Sequence, residues 1–191
     1  MTDNPIPLQP GVIYHIYNRG NNRENLFVLD RDYRRFTALM VRHLCPVADL
    51  YVYCLLRNHF HLLVRVKDET PLPPSQAFSN LFNAYAKWFN RTHQRTGALF
   101  ERPFHRIPVT RDAHLLRLVA YIHQNPQRHG LIADFRDWPY SSYATLLLPS
   151  PTPLQREQVQ AWFGGAARLE EAHEEAADEV ELRPLLPADL T

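Results

Sequence analysis

Four stretches of the chain carry the β-branched and aromatic density of strands, and three carry the i, i+3, i+4 spacing of amphipathic helices. Residues 11–18 (Gly-Val-Ile-Tyr-His-Ile-Tyr-Asn) predict a first strand, which ends at the turn signal Arg19-Gly20-Asn21-Asn22. Residues 30–43 predict a helix with Phe36, Leu39 and Met40 on its inner face, Asp30 or Asp32 placed to cap it, and Cys45-Pro46 ending it. Residues 49–56 and 59–66 predict two strands joined by Arg57-Asn58, with Asn58 suited to a left-handed turn.

After a proline-rich connector at 72–74, residues 75–92 predict a second helix with an apolar stripe of Phe78, Leu81, Phe82, Tyr85 and Phe89. A loop at 97–104 leads to a short strand at 105–109. Asp112 then opens a helix through Leu115, Leu118, Val119 and Ile122, which Pro126 is expected to close after Asn125.

This order of strand, helix, strand, strand, helix, strand predicts an α+β fold. It is a ferredoxin-like split βαβ arrangement: an antiparallel sheet with helices on one face, plus an extra helix near the sheet. Beyond it, Trp138-Pro139-Tyr140-Ser141-Ser142-Tyr143 predicts an ordered turn into a short helix. The expected division is a body over 1–147, a stiff proline-rich linker at 148–153 and a separate helical, acidic tail over 154–191. The tail's helices are expected at 155–163 and 166–182, broken by Gly164-Gly165.

Composition adds a setting. The chain has 191 residues, 45% hydrophobic and 12% aromatic, enough for one ordinary core with an appendage. No segment approaches the roughly 18 apolar residues of a membrane span, and the N-terminal residues lack a signal-peptide pattern, so a cytoplasmic location without membrane partners is expected. Cys45 and Cys54 are too few for a disulfide framework and read as buried free thiols.

The net charge of +1 conceals an asymmetry. Eight of the 20 acidic residues but only two of the 21 basic ones lie from residue 168 onward, which leaves 19 basic against 12 acidic before it. A body of about +7 fits a polyanionic partner such as nucleic acid, although a solvated surface has the same composition.

His59 and His61 supply the candidate chemistry. Two residues apart on a strand, they point to one face about 6 to 7 Å apart, a spacing two ligands of one metal ion can share. On the helix ending near Pro126, the polar stripe His114, Arg117, Tyr121, Asn125 and Arg128 lies opposite the apolar one. If that stripe meets the histidine strand, Asn125 can add an oxygen ligand and Tyr121 can present its hydroxyl beside the metal. Two imidazoles and one amide oxygen suit Mg²⁺ or Mn²⁺ with open positions, whereas a structural zinc would want four ligands. Cys54 lies on another strand and at no zinc-finger spacing.

The strand His59-Phe60-His61, the helix segment Tyr121-Ile122-His123-Gln124-Asn125-Pro126 and the opening Tyr17-Asn18-Arg19-Gly20-Asn21-Asn22-Arg23 together resemble the HUH single-tyrosine transposases, especially the REP-associated (IS200-like) type, over about residues 12–143. The resemblance implies a domain that cuts and rejoins single-stranded DNA through a 5′-phosphotyrosine. It makes Tyr121 the nucleophile, and His59, His61 and Asn125 the ligands of the divalent ion. It implies hairpin or REP-like palindromic DNA as the partner and leaves monomer and homodimer both open. Arg57 departs from the proline or small residue that commonly precedes Asn-His.

Arginines interleaved with aromatics suit single strands, in which phosphates want charge and unstacked bases want flat partners. Arg19, Asn21 and Arg23, and Arg102 and Arg106 beside Phe100 and Phe104, are therefore the expected DNA contacts. The alternative is a non-catalytic single-stranded nucleic-acid-binding domain on the same fold.

Overall fold

The computed structural model describes residues 6–175 and 182–186. Its elements are β1 (Ile13–Arg19), α1 (Asp30–Leu44), β2 (Ala48–Leu55), β3 (His59–Val66), α2 (Pro74–Thr92), β4 (His105–Pro108), α3 (Asp112–Arg128), α4 (Tyr143–Leu147), α5 (Arg156–Phe163) and α6 (Ala166–Ala172). The four strands form one antiparallel sheet in the order β2-β3-β1-β4, the ferredoxin-like order.

Alternation along β3 sorts the two faces. Phe60 points to the α1 and α2 side, where its ring lies 5.1 Å from Phe36 and 5.7 Å from Phe82. His61 points the other way and meets Tyr121 of α3, ring centroids 5.9 Å apart. The sheet is thus covered on both faces, with two helices behind it and α3 in front. Burying both faces explains why β3 reads as a nearly continuous apolar run interrupted only by its histidines.

Asp32, buried in the first turn of α1, accepts from the backbone N–H groups of Val28 and Leu29, both at 2.8 Å, and contacts His93 Nε2 at 3.0 Å. One carboxylate therefore ties the start of α1 to the residue that ends α2. Pro74 occupies the first turn of α2, where its missing N–H costs nothing.

Three expectations need correction. Asn58 is not left-handed; among the described non-glycine residues only Asn22, Arg23 and Gln94 have positive φ. The β2–β3 connection is held by long-range bonds instead: Arg57 O accepts from Leu26 N and Phe27 N, and Asn58 O accepts from Gly20 N. Pro126 does not close α3, which runs to Arg128. Without an N–H the proline gives up one helical bond, but it is buried, and its carbonyl accepts from Leu131 N at 2.8 Å.

The third correction concerns the tail. The segment after the 148–153 linker is not set apart from the sheet. Gln155 N donates to Leu50 O at 2.9 Å, Trp162 packs edge-on to Tyr51, and Val159 and Leu169 are fully buried. The helix expected over 166–182 ends at Ala172, and residues 176–181 lie outside the described residues. Next to that end, His173 contacts His123 of α3 at 2.8 Å, and His123 contacts Ser142 Oγ at 2.8 Å. Apolar burial and a buried polar chain hold this segment over α3.

Candidate metal and nucleophile site

Strand β3 and helix α3 bring His59, His61, Tyr121 and Asn125 to one place. Antiparallel pairing sets Arg19 opposite His59 and Tyr17 opposite His61, so the loop after β1 opens beside the histidines. The loop's course depends on Gly20. A Cβ there would lie 2.0 Å from the Glu24 carbonyl oxygen, so only glycine permits the turn.

The two imidazole rings are edge-on, with centroids 5.2 Å apart. His59 Nδ1 lies 2.8 Å from Asn58 Oδ1, and His61 Nδ1 lies 2.9 Å from His15 Nε2. A carboxamide oxygen only accepts, so His59 carries its proton on Nδ1 and a bare lone pair on Nε2. Burial pushes the His59 imidazolium down to about 3, helped by His129 and Arg19 nearby. Burial first, then neighbouring His15, His59 and His129, holds His61 well below the usual histidine range. Both rings are neutral at physiological pH, the state a metal ligand needs.

Tyr121 is 2% exposed and Asn125 1% exposed. The polar stripe that carries them enters the protein at its middle, while Arg117 and Arg128 on the same stripe stay exposed. The Arg128 guanidinium lies 5.5 Å from the Tyr121 ring centroid. The described C-terminal residues cover another side of α3, where Gln124 donates to the carbonyls of His173 and Glu175. That coverage is why α3 is buried all round over residues 118–126.

Asn125 Oδ1, His59 Nε2 and His61 Nε2 are buried polar atoms with no hydrogen-bond partner. Unsatisfied buried groups of this kind cost about 1 to 3 kcal/mol each and call for an explanation. The three sit on two facing elements, and each offers a lone pair. No group of three His, Cys, Asp or Glu side chains among the described residues is arranged to hold a metal. A shared ion here would take the amide oxygen as its third protein ligand, and the donor set fits a hard divalent cation with open positions. Cys54 is buried as a free thiol on β2.

The expected DNA contacts fall into two groups. Arg19 lies on the histidine face in an ion pair with Glu101 at 2.7 Å; Asn21 is half-buried and Arg23 exposed in the 3-10 turn that follows. Arg102 and Arg106 lie behind the sheet, lining a cleft of about 660 Å³ between α2 and the 97–104 loop together with Lys87, Phe82, Phe100 and Phe104. Arg106 lies over the Phe104 ring at 4.0 Å, its Nε buried and unpartnered.

The structure adds His15 and Asn58 to the site, each against the Nδ1 of one of the two histidines. For His15 the signal was present: it is two residues before Tyr17 in an alternating strand and so shares the inward face with Tyr17 and His61. For Asn58 the local sequence shows only a turn former.

The family model described as "Transposase IS200 like" matches residues 9–125. A curated Haemophilus influenzae protein named as a REP-associated tyrosine transposase is 28% identical over 98 residues, which are 47% of this chain and 56% of the relative. The match thus spans about half of that relative's length. A solved structure of a REP-associated tyrosine transposase bound to a REP hairpin superposes with a TM-score of 0.61 at 17% identity, over 76% of this chain and 84% of that one. At that identity the likeness is one of fold.

Proposed function

The chain belongs to the IS200-like transposase family, and on that premise we propose that it cleaves and rejoins single-stranded DNA beside hairpins, with Tyr121 as nucleophile. His59, His61 and Asn125 would hold one Mg²⁺ or Mn²⁺. The observation that carries the reading is the set of three buried, unpartnered lone-pair atoms beside the Tyr121 ring.

A divalent ion bound there supplies Lewis-acid polarisation of a phosphate oxygen and offsets charge developing at phosphorus. The chain's own groups do the rest. The neutral rings of His59 and His61 present lone pairs without first losing a proton. Asn125, tied by its Nδ2 to the Tyr121 carbonyl, holds its oxygen one turn from the nucleophile. A phenol's ordinary pKa near 10 makes it a weak nucleophile in water, so it needs a site that aligns it.

In the first step the Tyr121 oxygen bonds to phosphorus while the bond to the 3′-oxygen breaks. This leaves a 5′-phosphotyrosine and a free 3′-hydroxyl. In the second, a 3′-hydroxyl attacks the same phosphorus, the tyrosyl bond breaks and the phenol is restored. One phosphodiester is exchanged for another, so no nucleotide cofactor is required.

Arg19, Asn21 and Arg23 would guide the strand at the histidine face. Arg102 and Arg106 would meet it in the cleft behind the sheet, where Phe82, Phe100 and Phe104 offer apolar walls to unpaired bases. Hairpin-bearing DNA of the REP type is the proposed substrate.

The test is cleavage of a labelled single strand carrying a hairpin and unpaired flanks. Wild type with Mn²⁺ is expected to release the 5′-labelled fragment ending in a 3′-hydroxyl and to keep a 3′-labelled fragment attached to the protein. Tight binding of every tested strand without cleavage would instead favour a binding module.

A further inference from the structure

The unanticipated His15 forms a polar chain with two partners from distant parts of the sequence. Strand pairing sets His15 opposite Leu63 and Tyr17 opposite His61, so His15 lies diagonal to His61 on the same face. The two rings stack with centroids 5.1 Å apart and an interplanar angle of 19°. His15 Nε2 lies 2.9 Å from His61 Nδ1, and His15 Nδ1 lies 2.8 Å from the carbonyl oxygen of Leu185. His15 and His61 are both fully buried.

The proton positions follow in order. A carbonyl oxygen only accepts, so His15 carries its proton on Nδ1. A neutral imidazole has one N–H, which makes His15 Nε2 an acceptor. The proton in the 2.9 Å contact therefore sits on His61 Nδ1, and His61 Nε2 is left bare, the atom that has no partner. The opposite tautomer of His61 would set two lone pairs against each other and leave a buried N–H with nothing to accept it.

We propose that His15 is a positioning residue: anchored by the Leu185 carbonyl, it fixes His61 with its proton on Nδ1 and its lone pair on Nε2. The inference rests on the reading of His59, His61 and Asn125 as metal ligands and adds what orients one of them. It also makes the described C-terminal residues 182–186 part of the support of the site. A second group that holds a ligand's other nitrogen sets both its tautomer and its ring orientation.

The test uses full-length, metal-free protein and long-range ¹⁵N–¹H NMR, which separates the two histidine tautomers. Wild type is expected to show His61 protonated on Nδ1. His15→Phe removes the acceptor and should give a mixed tautomer and a roughly ten- to hundredfold loss of Mn²⁺ affinity, read by the electron paramagnetic resonance of free Mn²⁺. His15→Gln, which keeps an acceptor for His61 and a donor for Leu185, should restore both.

A wild-type His61 protonated on Nε2 would overturn the inference even if His15→Phe failed to fold. So would a folded His15→Phe with unchanged tautomer and Mn²⁺ affinity. If wild type bound no Mn²⁺, the metal reading and the inference's link to it would fall, while the tautomer spectra would still decide whether His15 orients His61.

Discussion

Asn125 Nδ2 donates to the Tyr121 carbonyl at 2.7 Å, one helical turn back, and this bond leaves Asn125 Oδ1 buried with no partner. The carboxamide is held at one end and unused at the other. An asparagine kept for stability alone would gain by satisfying both ends, because an unmet buried acceptor costs more than a typical hydrogen bond returns.

Asn125→Leu separates these roles. It gives up one hydrogen bond and removes one unsatisfied acceptor, so the urea midpoint of metal-free protein should correspond to a change within about 1 kcal/mol. Mn²⁺ affinity should fall by at least about tenfold and cleavage should be lost. A large loss of stability with metal affinity intact would assign Asn125 to packing.

The cleft behind the sheet makes a separate prediction. Arg106 has no acidic partner among the described residues, and burial lowers its pKa, so a phosphate would meet a charge that is already desolvated. Arg106→Ala should weaken single-strand binding and reduce the slope of log K against log salt by about 0.7. Arg19→Ala should lower affinity less, since Glu101 already offsets its charge. Equal binding and an unchanged slope in Arg106→Ala would remove the cleft from the DNA path.

Stability should fall on acidification. Burial pushes His15 down to about 4, His59 to about 3 and His173 to about 4, and holds His61 and His123 well below the usual range. Between the unfolded value of about 6.5 and these depressed values, the unfolded chain binds more protons, so unfolding becomes easier as pH drops. Each such histidine adds a slope of about 1.4 kcal/mol per pH unit across that window. Denaturation of metal-free protein at pH 7, 6 and 5 should show progressively lower midpoints, and His123→Gln should flatten the trend. A flat profile over this range would mean that these rings are not kept neutral by the fold.

Much of this was legible in the chain because local pattern decides it. The alternation of β3, the aromatic stripe of α2 and the spacing of Tyr121 and Asn125 need only a strand and a helix to take effect, and the strands lie within two residues of the expected positions at either end. What was not legible depends on partners far along the chain. Tyr121 and Asn125 sit on a polar stripe that a local rule turns to solvent, yet they are buried because that stripe meets β3. His123 and Gln124 are buried because the segment near His173 covers them. Pro126 reads as a helix stop, but tertiary packing carries α3 two residues past it, to Arg128. The role of His15 required both the strand register and the return of the chain at Leu185.

The most direct test of the central claim is to identify the residue that becomes attached to DNA. Wild-type protein incubated with Mn²⁺ and a hairpin-bearing single strand is digested with protease and nuclease, and the nucleotide-bearing peptide is sequenced by mass spectrometry. The account predicts one 5′-phosphotyrosine, at Tyr121, formed only when divalent metal is present and absent from Tyr121→Phe. An adduct on another residue, or cleavage by Tyr121→Phe at the wild-type rate, would contradict it.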